Sequence, residues 1–278
     1  MRLELYRHRW GVADPLEAWV PRCRQLGYAG VEVWLGGLGD LGPLARALQD
    51  HQMGLIALVA TTAGAGQGQA VSDHLASLEL GLEQASFLGP ALVNIHGGHD
   101  GWGEAEQDDF FGEALSLIRR LGVRAAFETH RGRPTFSPWA TDRLLRAFPE
   151  LQLTVDFSHW VVVCERLIED QREVIARAAG AALHVHARVG HEQGPQVSDP
   201  RAPEFAAHLQ AHEGWWDLVW EAQEGRGLEV STLTPEFGPP PYLPTLPHSG
   251  QPVADLAEVC EWMSRRQRSR FADRARAG

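Results

Sequence analysis

Short apolar runs alternate along this chain with longer segments of helical periodicity. Runs that are apolar at nearly every position are typical of parallel strands buried on both faces. Between two of them, Phe110, Ala114, Leu117 and Leu121 repeat at the spacing of one helical face. Eight runs can be assigned as strands, over residues 3–6, 31–34, 55–60, 91–95, 123–127, 151–155, 183–185 and 228–233.

Glycines mark several boundaries between a helix and the strand that follows it. A glycine just past a helix tolerates the left-handed backbone conformation that ends the helix. On this basis the sequence predicts helix ends at Leu26-Gly27, Met53-Gly54, Leu88-Gly89, Leu121-Gly122 and Ala179-Gly180.

The order of elements predicts an α/β protein with a single closed (β/α)₈ barrel. Alternating strands and helices indicate a parallel sheet, and eight such units in 278 residues favour closure. We assign the barrel to residues 1–264 and the basic residues 265–278 to a helix end or a solvated tail. The alternative, an open doubly wound sheet, needs a glycine-rich first turn. The one candidate, residues 64–68, follows the third strand and is better interpreted as a mobile loop over the barrel mouth.

Composition and charge exclude several classes of function. The net charge of −11 disfavours a nucleic-acid partner, because backbone binding depends on cationic side chains. All 25 basic residues are arginine, which excludes lysine Schiff-base chemistry and a Walker-type phosphate loop. No apolar run could span a bilayer, no signal peptide is evident, and the three cysteines are widely spaced. We therefore expect a cytoplasmic protein without a membrane partner; self-association stays open.

Acidic and imidazole side chains lie at the exits of the last four strands. Glu128, Asp156, His186 and Glu236 occupy these positions, where barrels of this kind hold their chemistry. Any one of them alone would more often be a salt-bridge partner or a buried core residue. Together, three carboxylates require a compensating cation. One divalent ion is therefore predicted, with Mn²⁺ favoured and Mg²⁺, Co²⁺, Zn²⁺ or Fe²⁺ compatible with the same ligands.

Other side chains at the same edge are candidates for substrate binding. His96 ends the fourth strand, and His159 lies across a turn from Asp156, where it could contact a hydroxyl group or a second metal ion. His184 faces the same way as His186 and either supports it or packs in the barrel. Tryptophans that pack between loops, or that form an apolar wall for a polyol, follow four of the strands: Trp10, Trp34, Trp102 and Trp160.

These motifs resemble the xylose isomerase-like barrel superfamily, also called AP endonuclease family 2, and most closely its bacterial sugar phosphate isomerase/epimerase branch. The resemblance implies one metal ion held by Glu128, Asp156, His186 and Glu236, with the two glutamates as acid and base. It also implies substrate contacts from His159 and, at a different spacing, from Arg188. The matching segments are Phe127-Glu128-Thr129-His130, Val155-Asp156-Phe157-Ser158-His159, His184-Val185-His186 and Pro235-Glu236-Phe237.

Two departures from this family bear on the substrate. Authentic xylose isomerases use a catalytic lysine, and this chain has none, so that activity is not expected. The segments 188–196 and 238–242 do not match the epimerases of the group, and both would line the pocket. The resemblance therefore leaves the substrate undetermined.

The leading hypothesis is a metal-dependent isomerase or epimerase of a sugar, sugar phosphate or polyol. Glu128 and Glu236 would transfer a proton next to a carbonyl through an enediolate. A dehydratase of a keto-polyol shares this first step and is an alternative. A zinc-dependent AP endonuclease shares much of the ligand pattern, including His96, but the chain is acidic and its third strand ends without a histidine. A non-catalytic sugar-binding barrel is disfavoured by the complete ligand set.

Overall fold

Eight parallel strands pair in sequence order and close into a barrel in the computed structural model, which describes residues 1–62 and 70–277. The predicted (β/α)₈ barrel is confirmed, and each strand lies within two residues of its predicted bounds. The glycine-rich segment 64–68 lies outside the described residues. The strands are β1 (Arg2–His8), β2 (Gly30–Trp34), β3 (Gly54–Ala60), β4 (Leu92–His96), β5 (Ala125–Glu128), β6 (Leu153–Val155), β7 (Ala182–His186) and β8 (Val230–Thr234).

Helices connect the strands around the outside of the barrel. In the described ranges, no helix is long and apolar enough to cross a bilayer. The helices are α1 (Leu16–Gln25), α2 (Gly42–His51), α3 (Val71–Leu88), α4 (Glu104–Leu121), α5 (Pro138–Ala147), α6 (Phe157–Cys164), α7 (Arg172–Ala181), α8 (Ala206–Gly225) and α9 (Leu256–Ala277).

Three of the five predicted glycine helix ends have the expected backbone conformation. Gly27, Gly89 and Gly122 follow α1, α3 and α4 with φ values of 81°, 58° and 65°. The prediction is wrong at the other two junctions. Gln52 takes the left-handed conformation after α2 (φ 50°), and Gly180 lies inside α7.

The strands divide the core into two apolar clusters, one on each face of the closed sheet. Successive side chains of a strand point to opposite faces, so one set packs against the helices and the other points to the barrel axis. The small inner cluster contains Tyr6, Ile56, Leu92 and Ala126. Two residues further along β1, β4 and β5, the inward positions become polar, with His8, Asn94 and Glu128. The apolar floor of the barrel therefore supports a buried polar layer near the carboxyl ends of the strands.

The basic residues near the C-terminus lie on the last helix. Residues 265–277 continue α9 without a break from its first half. Arg266 binds Glu213, and Arg270 binds Asp217, both on α8. These ion pairs hold α9 against the barrel.

Gly30 offers a test of the packing inside the barrel. A Cβ atom at Gly30 would lie 2.3 Å from the Tyr6 ring and 2.4 Å from the carbonyl oxygen of Gly54. We expect Gly30→Ala to lower the free energy of unfolding by about 1–3 kcal/mol, because a backbone atom cannot move aside cheaply.

The matched control is Gly214→Ala, at an exposed position inside α8 with no atom within 4 Å of the added Cβ. This variant should be more stable than the wild type by about 0.5–1 kcal/mol, because alanine favours the helix. Chemical denaturation of both variants measures the difference. Equal stability of the two variants would contradict the packing described here.

Candidate functional site

The four residues predicted at the strand exits meet in one cluster. Glu128 ends β5, Asp156 follows β6, His186 ends β7, and Glu236 lies two residues beyond β8. One ligand atom from each lies within 4.8 Å of the others, and all four side chains are buried. Barrel closure brings together residues that are more than 100 positions apart in sequence.

Asp156 is held at the start of α6, where it caps the helix. Its Oδ1 accepts hydrogen bonds from the backbone N–H of Ser158, at 2.9 Å, and from the Ser158 hydroxyl, at 2.5 Å. Its own backbone N–H donates to the Thr129 hydroxyl at 2.7 Å. Capping fixes the carboxylate at the barrel mouth because the first turn of a helix leaves N–H groups without internal partners.

Arg188 inserts its guanidinium between two of the carboxylates. It donates to Asp156 and lies 3.3 Å from Glu236. The same group donates to His159 Nε2 at 2.7 Å and to the Ser158 hydroxyl at 3.1 Å. His159 is fully buried behind Arg188, so it reaches the cavity through this arginine.

A fourth carboxylate, Glu32 of β2, belongs to the same polar layer and was missed from the sequence. Its Oε1 accepts a hydrogen bond from His186 Nε2 at 2.9 Å. Asn94 of β4 donates from Nδ2 to Glu32 at 3.2 Å and to Glu128 at 2.7 Å. The sequence did contain an indication: Glu32 is an acidic residue inside the apolar run 31–34. Side chains alternate between the two faces of a strand, and Glu32 occupies a position that faces the barrel axis.

The carboxylates dominate the electrostatics of His186. Burial by itself would lower the pKa of His186, but Glu32, Glu236 and Glu128 outweigh it and raise that pKa well above its ordinary value. Burial also raises the pKa of Glu128, yet His96 and His186 hold it well below its ordinary range. The carboxylates therefore favour the charged form of His186, and the two imidazoles favour the charged form of Glu128.

The donor atoms of this cluster fit a divalent cation. Four buried carboxylates lie around one guanidinium and two imidazoles, so they outnumber the groups that can carry a positive charge. Burial raises the pKa of Asp156 to about 6, against the opposing effect of Arg188. Among the described residues, Glu128 Oε1, Glu236 Oε2 and His186 Nδ1 are buried without a hydrogen-bond partner. Three carboxylates and one imidazole form a ligand set that accepts Mg²⁺, Mn²⁺ and related ions.

A cavity of about 520 Å³ opens beside the cluster. This volume lies in the range of small-molecule sites. Polar side chains form one part of its lining and aromatic rings another. The polar residues are His8, Arg9, Glu32, His96, His130, Arg188 and Glu236, and the aromatic residues are Trp10, Trp34 and Tyr242.

Two imidazoles extend the polar part of the cavity beside β4 and β5. His96 Nε2 donates to Glu128 Oε2 at 2.6 Å, which places this predicted substrate-binding residue directly against the cluster. The ring of His130 lies 4.6 Å from that of His96 and 4.0 Å from that of His159. The sequence assigned no role to His8 or His130, although His130 belongs to a matching motif. Tyr242 lies in the segment 238–242, which was expected to line the pocket.

Only part of the tryptophan group predicted at the strand exits lines this cavity. Trp34 does, and 46% of its surface is exposed at the mouth. Trp160 is fully buried and donates to the carbonyl oxygen of Thr135, while Trp102 packs against His74 and Phe110. Of the predicted wall, Trp10 and Trp34 line the cavity, where Tyr242 joins them. The structure corrects the prediction for Trp102 and Trp160, which pack between elements of the barrel.

Comparison with known families gives a match over most of the chain. The sequence profile described as the xylose isomerase-like TIM barrel matches residues 20–224. No curated protein matches the sequence.

Several solved structures share the fold. A probable 3-DHS dehydratase, AsbF, from Bacillus anthracis has a TM-score of 0.60 at 13% identity, over 85% of this chain and 93% of that one. Endonuclease IV from Thermus thermophilus has a TM-score of 0.55 at 16% identity, over 86% and 94%. D-allulose 3-epimerase from Methylomonas sp. has a TM-score of 0.55 at 11% identity, over 84% and 83%. Identities this low establish a shared fold and leave the activity open.

Addition of a divalent cation tests the cluster directly. We expect Mn²⁺ or Mg²⁺ to raise the melting temperature, with a stabilisation of about 2.7 kcal/mol at a concentration of 100 times the Kd. Asp156→Asn should remove most of this increase, because a neutral amide does not balance the positive charge of the ion. Asp142→Asn is the control, since Asp142 forms ion pairs with Arg146 and Arg177 on the surface. Thermal unfolding with EDTA or metal measures the difference; an equal metal-induced shift in both variants would exclude the cluster as the site.

Proposed function

Because this chain belongs to the xylose isomerase-like TIM barrel family, we propose that it is a metal-dependent isomerase or epimerase of a sugar, sugar phosphate or polyol. The observation that supports this most directly is the convergence of Glu128, Asp156, His186 and Glu236 beside a cavity of monosaccharide size. Enzymes that share this fold catalyse different reactions, so the proposal rests on the chemistry of this site.

The four clustered residues are the proposed metal ligands. Mn²⁺ is our first choice, and Mg²⁺, Co²⁺, Zn²⁺ and Fe²⁺ suit the same donors. A bound divalent ion would stabilise the negative charge that develops on the substrate carbonyl oxygen when a neighbouring C–H is deprotonated. Asp156 and His186 would contribute to ion binding alone, because both are held by protein groups on their remaining sides.

Glu128 and Glu236 are the proposed acid and base. Oε1 of Glu128 is buried without a hydrogen-bond partner among the described residues, which leaves it available to a substrate proton. Glu236 lines the cavity, and its Oε2 is 3.3 Å from Arg188. Both carboxylates lie beside His186, whose Nδ1 is 3.3 Å from the first and 3.1 Å from the second. One carboxylate would remove the proton next to the carbonyl and keep it, and the other glutamate, protonated at that stage, would deliver its own proton to the enediolate.

The cavity lining suggests how a substrate would be held. Arg188 and His96 present donors near the two glutamates, where they would bind substrate oxygens. Trp34 would contact the apolar C–H face of a sugar. His159 would act indirectly, by orienting Arg188.

A dehydratase remains the alternative that shares the first step with this mechanism. In place of proton return, the C–O bond to a neighbouring hydroxyl group would break, and a proton from the acidic glutamate would let that group leave as water. The same two glutamates would serve. An endonuclease is less well supported, because its ligand pattern expects a histidine at the end of the third strand. Here β3 ends at Ala60, and the following Thr61 and Thr62 bind the ring of His74. These threonine hydroxyls engage both ring nitrogens of that histidine.

Substitution of the proposed base tests the reaction. We expect Glu128→Gln to lower kcat by about 10²- to 10⁴-fold on a ketose or keto-polyol that the wild type converts. The assay uses an Mn²⁺ concentration that saturates the variant, because this substitution also removes a negatively charged ligand. Glu150→Gln is the control, at an exposed glutamate that pairs with Arg119.

The measurement is NMR of the products in D₂O. Deuterium at the carbon next to the carbonyl identifies proton transfer, and an alkene or deoxy product identifies the dehydratase. Near wild-type turnover by Glu128→Gln would remove this residue from the mechanism, and a wild type that exchanges no proton on any keto-sugar tested would contradict the proposal.

A second substitution tests the aromatic wall. Trp34→Leu should raise KM by about 2- to 10-fold with little change in kcat, because the stacking contact contributes to binding. Trp139→Leu is the matched control, since Trp139 is exposed on α5 and does not line the cavity. Steady-state kinetics separates the two parameters; equal KM values for both variants would argue against stacking.

A further inference from the structure

We propose that Glu32 is a positioning residue that orients His186 as a metal ligand. This inference rests on the proposed metal site and adds a residue from β2 to a set that otherwise comes from the last four strands. Glu32 would act through the imidazole and not by contact with the reacting atoms.

The hydrogen bond between the two side chains sets which nitrogen of His186 faces the cluster. Nε2 lies 2.9 Å from Glu32 Oε1, and a carboxylate oxygen can only accept, so Nε2 carries the proton. Nδ1 faces the other way, 3.3 Å from Glu128 Oε2 and 3.1 Å from Glu236 Oε2. Without an ion the neighbouring carboxylates favour a second proton on Nδ1, which a bound cation would displace. An imidazole that keeps only its Nε2 proton offers the lone pair of Nδ1 toward the proposed ion.

Glu32 is itself held in place. Its side chain is 2% exposed, and Asn94 donates to Oε1 at 3.2 Å. The same amide donates to Glu128 at 2.7 Å. Asn94 therefore connects Glu32, the partner of His186, to the proposed ligand Glu128. Through this amide the orientation of His186 is coupled to that of Glu128.

Direct coordination is the rival role for Glu32. Glu32, His184 and His186 also have ligand atoms within 4.8 Å of one another. However, the ring nitrogens of His184 lie 2.8 Å from the Thr232 hydroxyl and 3.0 Å from the Thr234 hydroxyl. His184 Nε2 lies 3.7 Å from Glu32 Oε2, whereas His186 Nε2 lies 2.9 Å from Glu32 Oε1. The geometry therefore favours Glu32 as a partner of His186.

Two variants separate the contributions of the carboxylate. Glu32→Gln keeps the volume and an oxygen acceptor, whereas Glu32→Ala removes both. We expect Mn²⁺ affinity, measured by titration calorimetry, to fall by about 10- to 100-fold in Glu32→Ala and by less in Glu32→Gln, as for other outer partners of ligating histidines. Circular dichroism checks that each variant is folded.

A spectroscopic readout reports the orientation itself. In protein labelled with ¹⁵N-histidine and loaded with Zn²⁺, the two-bond ¹H–¹⁵N spectrum of wild type should show His186 protonated on Nε2 and metal-bound through Nδ1. Glu32→Gln should keep this pattern, and Glu32→Ala should broaden or lose it. The control variant is His184→Gln, which keeps a polar side chain next to the threonines and should bind Mn²⁺ within a few-fold of the wild type.

The outcomes distinguish this inference from the proposed function. If the wild type binds Mn²⁺ and both Glu32 variants bind it equally well, Glu32 has no positioning role while the proposed metal site stands. If His184→Gln loses as much affinity as Glu32→Ala, Glu32 is a ligand in the rival site and the inference is wrong. If the wild type binds no divalent ion at millimolar concentration, both proposals fall.

Discussion

The structure depends on charge compensation inside a closed barrel. Glu32, Glu128, Asp156 and Glu236 are buried within one polar layer, and buried carboxylates are tolerated only with counter-charges and hydrogen-bond donors. His186 stands between three of them, and a single arginine serves the fourth. This excess of negative charge is the physical reason to expect a cation at the site, and it decides which chemistry the cavity can support.

The barrel can hold such a layer because its inner face is divided along the axis. Apolar side chains fill the floor, and the polar residues begin one inward position later on several strands. Helices pack on the opposite face of the same strands, so the polar layer removes nothing from the main core. The site is therefore rigid at its base, as the orientation of carboxylates and imidazoles for proton transfer requires.

The two segments that depart from the family are linked at the rim of the cavity. Gln196 donates to the carbonyl oxygen of Gly238 at 3.1 Å and accepts from the Gly238 N–H at 2.6 Å. Gly238 packs against Trp10, where a Cβ atom would lie 2.2 Å from the indole. The ring of Tyr242 also packs against Trp10, and the two ring centroids are 4.7 Å apart. Each segment contributes one side chain to the cavity lining, Arg188 and Tyr242, and the guanidinium lies 5.4 Å from the centre of the tyrosine ring.

The sequence alone determined the barrel, its eight strands and the four proposed ligands, because apolar periodicity and strand-exit positions are local properties of the chain. It did not predict Glu32 as a partner of His186, since 154 residues separate them and only closure of the barrel makes them neighbours. It also could not tell which tryptophans line the cavity: Trp34 and Trp160 both follow strands, but one opens to the mouth and the other is enclosed between helix and loop. Side-chain direction at a strand exit depends on the loop that follows, and the packing of that loop is decided by the tertiary structure.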